Sequence, residues 1–125
     1  RYLADSLTFY RQASESCTAI LESCKKNKIE RILLCGRSEL SEIVVIKAMD
    51  ADIQITGVFD RDTSLNQIYS MPVWNDFSLI GEFDMCFLAD LNSPYEFYKF
   101  LIRKVGNDRV LIPDVLGIKR ESESA

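Results

Sequence analysis

The chain of 125 residues is expected to fold as a small α/β domain. Its sheet is parallel in strand order 3-2-1-4-5, with helices on both faces and a long N-terminal helix ahead of it. Three observations predict this. The run Ile32-Leu33-Leu34-Cys35-Gly36-Arg37-Ser38-Glu39-Leu40-Ser41 joins a short apolar segment to a glycine turn and a helical segment. Asp60, 24 residues after Gly36, closes a second apolar run, Thr56-Gly57-Val58-Phe59-Asp60. Together these make the opening βαβ unit of a nucleotide-binding sheet. The first 28 residues follow a different period and contain no glycine or proline.

In that first segment Leu3, Leu7, Tyr10, Ser14, Cys17, Leu21 and Cys24 recur at alternating steps of four and three, the seam of a coiled coil. Phe9, Ala13 and Ile20 widen the stripe on one flank. A single helix of about 40 Å is expected, longer than the roughly 14 residues that cover a small sheet. Residues 1–28 are therefore read as a linking and dimerisation helix, with Cys17 and Cys24 near the axis. Arg1 is not methionine, and the apolar phase is already running at Leu3 without a capping residue. The expectation is a C-terminal piece of a longer protein, cut within or just before the linking helix.

Residues 29–120 are read as the α/β domain. Ile32 to Cys35 is continuously apolar, as a strand covered on both faces must be. Ser38 to Met49 carries Leu40, Ile43, Val44, Ile46, Ala48 and Met49 on one side of a helix. Ile53 to Phe59 is the second strand. Arg61 to Met71 is polar and turn-rich, and Pro72-Val73-Trp74 allows only a short strand. Asp84 to Ala89 is another buried strand, with Met85, Cys86, Phe87 and Leu88 at its centre. Ser93-Pro94-Tyr95-Glu96 reads as a capping box with proline at the first helical position, starting a helix that runs to about Val105. Val110-Leu111-Ile112 is the last strand, and residues 121–125 read as a disordered polar tail. Right-handed crossovers then order the strands 3-2-1-4-5.

Composition excludes several function classes. A net charge of −4 leaves no basic footprint for nucleic acid within these residues. No apolar run approaches membrane-spanning length and no signal-peptide pattern opens the chain, so no membrane partner is expected. There are no histidines, and the four cysteines have no C-x-x-C spacing. Structural zinc and Cys–His catalysis are thereby set aside, and no metal is expected. Cys35 and Cys86 lie inside apolar strands and read as buried reduced thiols, which fits a reducing cytoplasm.

Ligands of such sheets bind at the carboxyl ends of the strands, where the strand order reverses. Gly36, Arg37 and Ser38 are delivered there after the first strand, and Asp60 with Arg61 after the second. Asp90 and Asn92 follow the fourth strand, and Pro113 with Asp114 the last. The dinucleotide fingerprint asks for three glycines, and Ser38 and Ser41 stand where the second and third would be. Ser38 brings a Cβ where close approach wants none. Glu39 and Glu42 in the first helical turn fill the electrostatic niche of a pyrophosphate. No cofactor is expected, and NAD or a nucleotide would bind only weakly; a smaller ligand touching Arg37, Asp60 and Asn92 escapes most of these penalties. Asp60 has two open readings, an acceptor for ribose hydroxyls or a turn-starting acid.

Tyr95 and Lys99 match the tyrosine–lysine spacing of short-chain dehydrogenases, but they lie only 59 residues after Gly36. Those enzymes carry the pair much further along, on a later helix. No nucleophile–base pair, paired-carboxylate signature or metal cluster is present, and the chain is read as non-enzymatic.

The runs from Ile29 to Ile43, Gly57-Val58-Phe59-Asp60, Leu88 to Pro94 and Asp108 to Asp114 together resemble the C-terminal Rossmann-like domain of certain bacterial regulators. In those proteins a MarR-like winged-helix DNA-binding domain and a linking helix precede it. The resemblance covers nearly the whole chain. It implies a cytoplasmic transcriptional regulator, dimeric through residues 1–28, with a sensor or assembly role for this half and DNA contacted only by a domain absent from this chain. The Gly36 turn and the Gly57-Val58-Phe59-Asp60 ending also resemble the N-terminal domain of sugar O- and N-acyltransferases that hold nucleotide sugars. The alternative function is therefore an NAD- or nucleotide-sugar-binding domain of a sugar-modifying enzyme, although the left-handed helix repeats of those enzymes are absent here.

Overall fold

The computed structural model describes residues 2–61, 67–68 and 70–120, with side chains from Leu7 onward and none at Gln67. The tail 121–125 and residues 62–66 of the expected turn-rich stretch lie outside the described residues. Helix α1 (Tyr2–Lys26) precedes β1 (Arg31–Cys35), α2 (Glu39–Asp50), β2 (Gln54–Phe59), β3 (Gln67–Ile68), β4 (Met71–Trp74), β5 (Met85–Leu88), α3 (Pro94–Val105) and β6 (Val110–Leu111). The sheet order is β3-β4-β2-β1-β5-β6. All pairings are parallel except β3 with β4. The five parallel strands reproduce the expected 3-2-1-4-5 order of a Rossmann-like fold. The two residues of β3 are an addition, an antiparallel edge pairing within the stretch read as turns.

Alternation along β1 divides the core into two layers. Ile32 and Leu34 point to the side covered by α1 and α2, where they meet Leu21, Leu40, Val44, Val58 and Phe87. Leu33 and Cys35 point to the other side, against Phe59, Leu88, Phe97, Tyr98 and Leu101. Each of these strand side chains is fully buried, which is why β1 reads as an unbroken apolar run rather than an alternating one. On the α3 side the core is aromatic. The Phe59 ring meets Phe77, Phe97 and Phe100 at centroid distances of 5.2, 5.7 and 5.7 Å, within the range of favourable ring pairing.

One position in β2 is cut to fit this layer. A Cβ on Gly57 would lie 2.4 Å from the Trp74 ring, so the absence of a side chain in β2 is what lets the β4 indole lie across it.

The helix ends show where local signals succeeded and where they did not. α1 ends at Lys26, and just beyond it Lys28 takes a φ of 61°, the left-handed closure more often given to glycine. The Ile29 N–H returns to the Cys24 carbonyl at 2.8 Å, and Lys25 Nζ reaches the Ala51 carbonyl at the end of α2 at 2.6 Å. At α3, proline occupies the expected first turn, but Ser93 makes no side-chain cap. Its N–H instead donates to Asp90 Oδ2 at 2.8 Å. The carboxylate one turn upstream organises this helix entry, correcting the expected Ser93–Glu96 box.

The seam of α1 is also redistributed. Ala13, Cys17, Leu21 and Cys24 are buried against the protein's own core. Cys17 and Cys24 are therefore not at an intermolecular axis. Leu7 and Tyr10 remain 60% and 54% exposed, and the Leu3 side chain lies outside the described residues.

At the amino end of the sheet, Asp84 ties β1 to the loop before β5. Its Oδ2 accepts the N–H groups of Glu30 and Arg31 at 3.2 and 3.0 Å, and Oδ1 pairs with the Arg31 guanidinium at 3.2 Å. The backbone donors of Arg31 and Glu30, then the guanidinium, hold the Asp84 carboxyl below the usual carboxylate range. A depressed folded pKa gives stability that is present above the unfolded value near 4 and lost as pH falls through the folded value. Asp84→Ala is expected to lower the urea midpoint at pH 7, with the difference from the parent shrinking steadily below about pH 4. A pH-independent difference would remove the carboxylate from this account. Gly57→Ala is expected to destabilise by about 1–3 kcal/mol through overpacking against Trp74, measured by the same urea titration.

Candidate functional site

The strand-end site is built around the turn between β1 and α2. Gly36 has φ of 106°, and a Cβ there would lie 2.9 Å from both the Cβ and the backbone nitrogen of Asp90. Only glycine lets the end of β1 approach the end of β5 this closely. The Ala89 N–H donates to the Cys35 carbonyl at 2.7 Å, and the Gly36 N–H to the Phe59 carbonyl at 2.9 Å. The three central strands are thus stitched together immediately beneath the turn.

The two serines at the expected glycine positions have structural work of their own. Ser38 Oγ donates to the Ala89 carbonyl at 2.6 Å and accepts the Leu40 N–H at 3.1 Å. Ser41 Oγ accepts the Ser38 N–H at 2.9 Å and donates to the Ser38 carbonyl at 2.6 Å. The pair forms a reciprocal cap on α2. A Ser-x-x-Ser spacing is the short-chain version of the Ser-x-x-Glu box, and that spacing could have revealed the cap. The Leu40 and Ser41 N–H groups are both taken by Ser38, through its hydroxyl and its carbonyl. These are donors a phosphate would use at a helix N-terminus.

The expected site residues divide into three groups. Gly36, Ser38 and Asp90 come together, Gly36 against Asp90 and Ser38 against Ala89. Arg37 and Asp60 form an ion pair, Nε to Oδ2 at 3.6 Å, with Asp60 the more buried partner. Arg61 turns toward α3: its guanidinium lies 4.9 Å from the Phe97 ring centroid and 5.1 Å from that of Phe100. The pull is cation–π attraction, which a reading by strand ends alone does not register. Asn92 is exposed in the turn before α3. An open depression of about 420 Å³ at the strand ends is lined by Arg37, Ser38, Glu42 and Ile68.

The buried thiols are held in their neutral form. Burial pushes the Cys17 thiol up to about 12 and raises that of Cys35 strongly, so neither is a ready thiolate at neutral pH. Tyr95 and Lys99 sit on the surface of α3, with the ammonium 4.9 Å from the phenol ring centroid. Among the described residues no group of three or more His, Cys, Asp or Glu is placed to hold a metal, and no helix is long and apolar enough to cross a membrane.

A second depression adjoins the first. Phe9 and Tyr10 of α1 and Glu39, Glu42, Ile43 and Ile46 of α2 line a groove of about 350 Å³. Further along, Thr18, Leu21 and Glu22 lie beside Lys47, Asp50 and Ala51, so the two helices run in the same direction. The early turns of α1 therefore sit at the carboxyl end of the sheet. Glu42 lines both depressions. The sequence placed Phe9 and Tyr10 on the stripe of a helix but carried no signal that this end of it lies beside the strand-end turns.

Ser38→Ala is expected to cost about 1–2 kcal/mol, since one substitution removes both the cap and the tie to Ala89. Ser38→Gly, which restores the fingerprint residue, is expected to lose stability as well. Denaturant titration of both variants checks this, and a stabilised glycine variant would contradict the bracing role of the hydroxyl. No protein-family model and no curated protein matches this chain.

Proposed function

We propose that this domain is a non-enzymatic regulatory and sensor module, the ligand-binding and dimerisation half of a cytoplasmic bacterial transcriptional regulator of the MarR-like type its sequence resembles. The observation that carries this reading is the placement of Glu42. It belongs at once to the strand-end depression, with Arg37 and Ser38, and to the groove between α2 and the early turns of α1. A small ligand that shifted the first turn of α2 would act directly on the helix leading out of the domain. Coupling of this kind needs only a two-state element whose balance both sites bias. In this reading DNA is contacted by a preceding domain, and α1 joins two copies.

The ligand class that suits the site is smaller than a dinucleotide. A pyrophosphate would have to displace the Ser38 cap and sit beside Glu39 and Glu42, each contact unfavourable by about 1 kcal/mol. A second reading, a nucleotide- or nucleotide-sugar-binding domain of a sugar-modifying enzyme, is favoured by one observation. Asp60 stands at the end of β2 where a ribose hydroxyl would be bound.

Calorimetric titration with NAD, mononucleotides and nucleotide sugars separates the two. NAD is expected to bind no more tightly than millimolar. Micromolar binding of NAD or a nucleotide sugar that Asp60→Ala abolishes would favour the second reading and defeat the first.

A further inference from the structure

The exposed end of the α1 stripe is an interaction surface with a definable occupant. Tyr10 is in phase with Cys17 and Cys24 at seven-residue steps, so all three lie on one face of the helix. Cys17 and Cys24 are buried on the sheet, whereas Tyr10 is 54% exposed and Leu7 60%. The stripe is continuous, and the core beneath it ends. Beside its open end lies Ile46 of α2, 52% exposed, and further along α2 Met49 is 75% exposed. Four large apolar side chains thus stand at the surface of one helical layer. Elsewhere among the described residues the exposed large apolar side chains are Leu79, Leu91 and Tyr95, none of them on α1 or α2. Clustering of this sort marks an interface more than scattered exposure does.

We propose that the groove between α1 and α2 seats the Leu7–Arg11 segment of a second copy of this chain, in a two-fold pair crossing near Tyr10. The chemistry of groove and occupant is matched. The groove has an apolar floor of Phe9, Ile43 and Ile46 and an acidic rim of Glu39 and Glu42. The exposed side of α1 offers Leu7 and Tyr10 followed at once by the cation of Arg11. Apolar side chains fill the floor while the guanidinium meets the carboxylates. Because Tyr10 is both a wall of the groove and part of the segment that fills it, the contact is self-complementary. A two-fold axis closes both grooves and leaves no open copy, whereas a one-sided fit would propagate into a chain of molecules. This rests on the dimeric reading proposed above but relocates the contact, away from Cys17 and Cys24 and onto the end of α1 nearest the strand-end turns. Glu42 then belongs to the ligand-side depression and to the dimer contact together.

Sedimentation equilibrium of the chain, with Ile46→Glu, Arg11→Glu, Glu42→Arg and the Arg11→Glu/Glu42→Arg double variant, tests the assignment. The parent is expected to be dimeric, with association weakened at least tenfold by Ile46→Glu and by each single charge reversal. The double variant is expected to regain most of the parent affinity, because the reversed pair restores the attraction. All three substituted positions are exposed, and circular dichroism confirms that each variant is folded. A parent that stays monomeric at millimolar concentration overturns both the dimeric reading and this interface. A dimer indifferent to Ile46→Glu and to the charge reversals overturns the interface alone and leaves self-association through another surface of α1.

Discussion

The closeness of the β1–α2 turn to the end of β5 is the constraint on which the rest of this structure depends. At Gly36 the backbone runs so near Asp90 that there is no space for a methyl group. That approach fixes β1 between β2 and β5, and it brings Ser38 within 2.6 Å of the Ala89 carbonyl. Once the turn is pinned, the direction of α2 is set, and α1 packs alongside α2 in turn. The carboxylate of Asp90 does a parallel service on the other side, receiving Ser93 at the entry to α3. One narrow gap between two strand ends thus orients helices on both faces of the sheet.

The same gap determines what the strand ends can offer a ligand. In a dinucleotide site, glycines hold the backbone open so that phosphate oxygens can reach the helix N-terminus. Here the hydroxyls of Ser38 and Ser41 perform that capping internally. Arg37 turns toward Asp60, and Arg61 is drawn over the phenyl rings of α3. The polar groups delivered to the cleft largely satisfy one another, which stabilises the turn. In the function proposed above, a ligand would compete with a few of these hydrogen bonds and act through the first turn of α2.

Much of the architecture was legible residue by residue. The continuous apolar run of β1, the glycine turn, the acid ending β2 and Pro94 at the head of α3 each reflect a rule that acts over a few residues. The differences share a cause. Local spacing predicts a Ser93–Glu96 box, whereas the Ser93 N–H donates to Asp90. Arg61 follows β2 and is expected at the strand ends, and its guanidinium lies over the Phe97 and Phe100 rings of α3, partners that local spacing does not register. The β3–β4 pairing is not predicted because two residues carry too little pattern to register against their polar surroundings.

What the sequence determined by itself was the parallel α/β class, the strand order, the need for glycine at position 36 and the presence of one long amphipathic helix. These follow from periodicity and backbone sterics, which are properties of neighbouring residues. What only the tertiary structure decided was which part of that helix is spent on the protein's own core. Helical periodicity states that Tyr10, Cys17 and Cys24 share a face, and it is silent on what lies beneath them. The sheet is short, so it covers Cys17 and Cys24 and leaves Leu7 and Tyr10 at the surface. Burial is a contest between elements far apart in the chain, and its outcome depends on where the sheet ends.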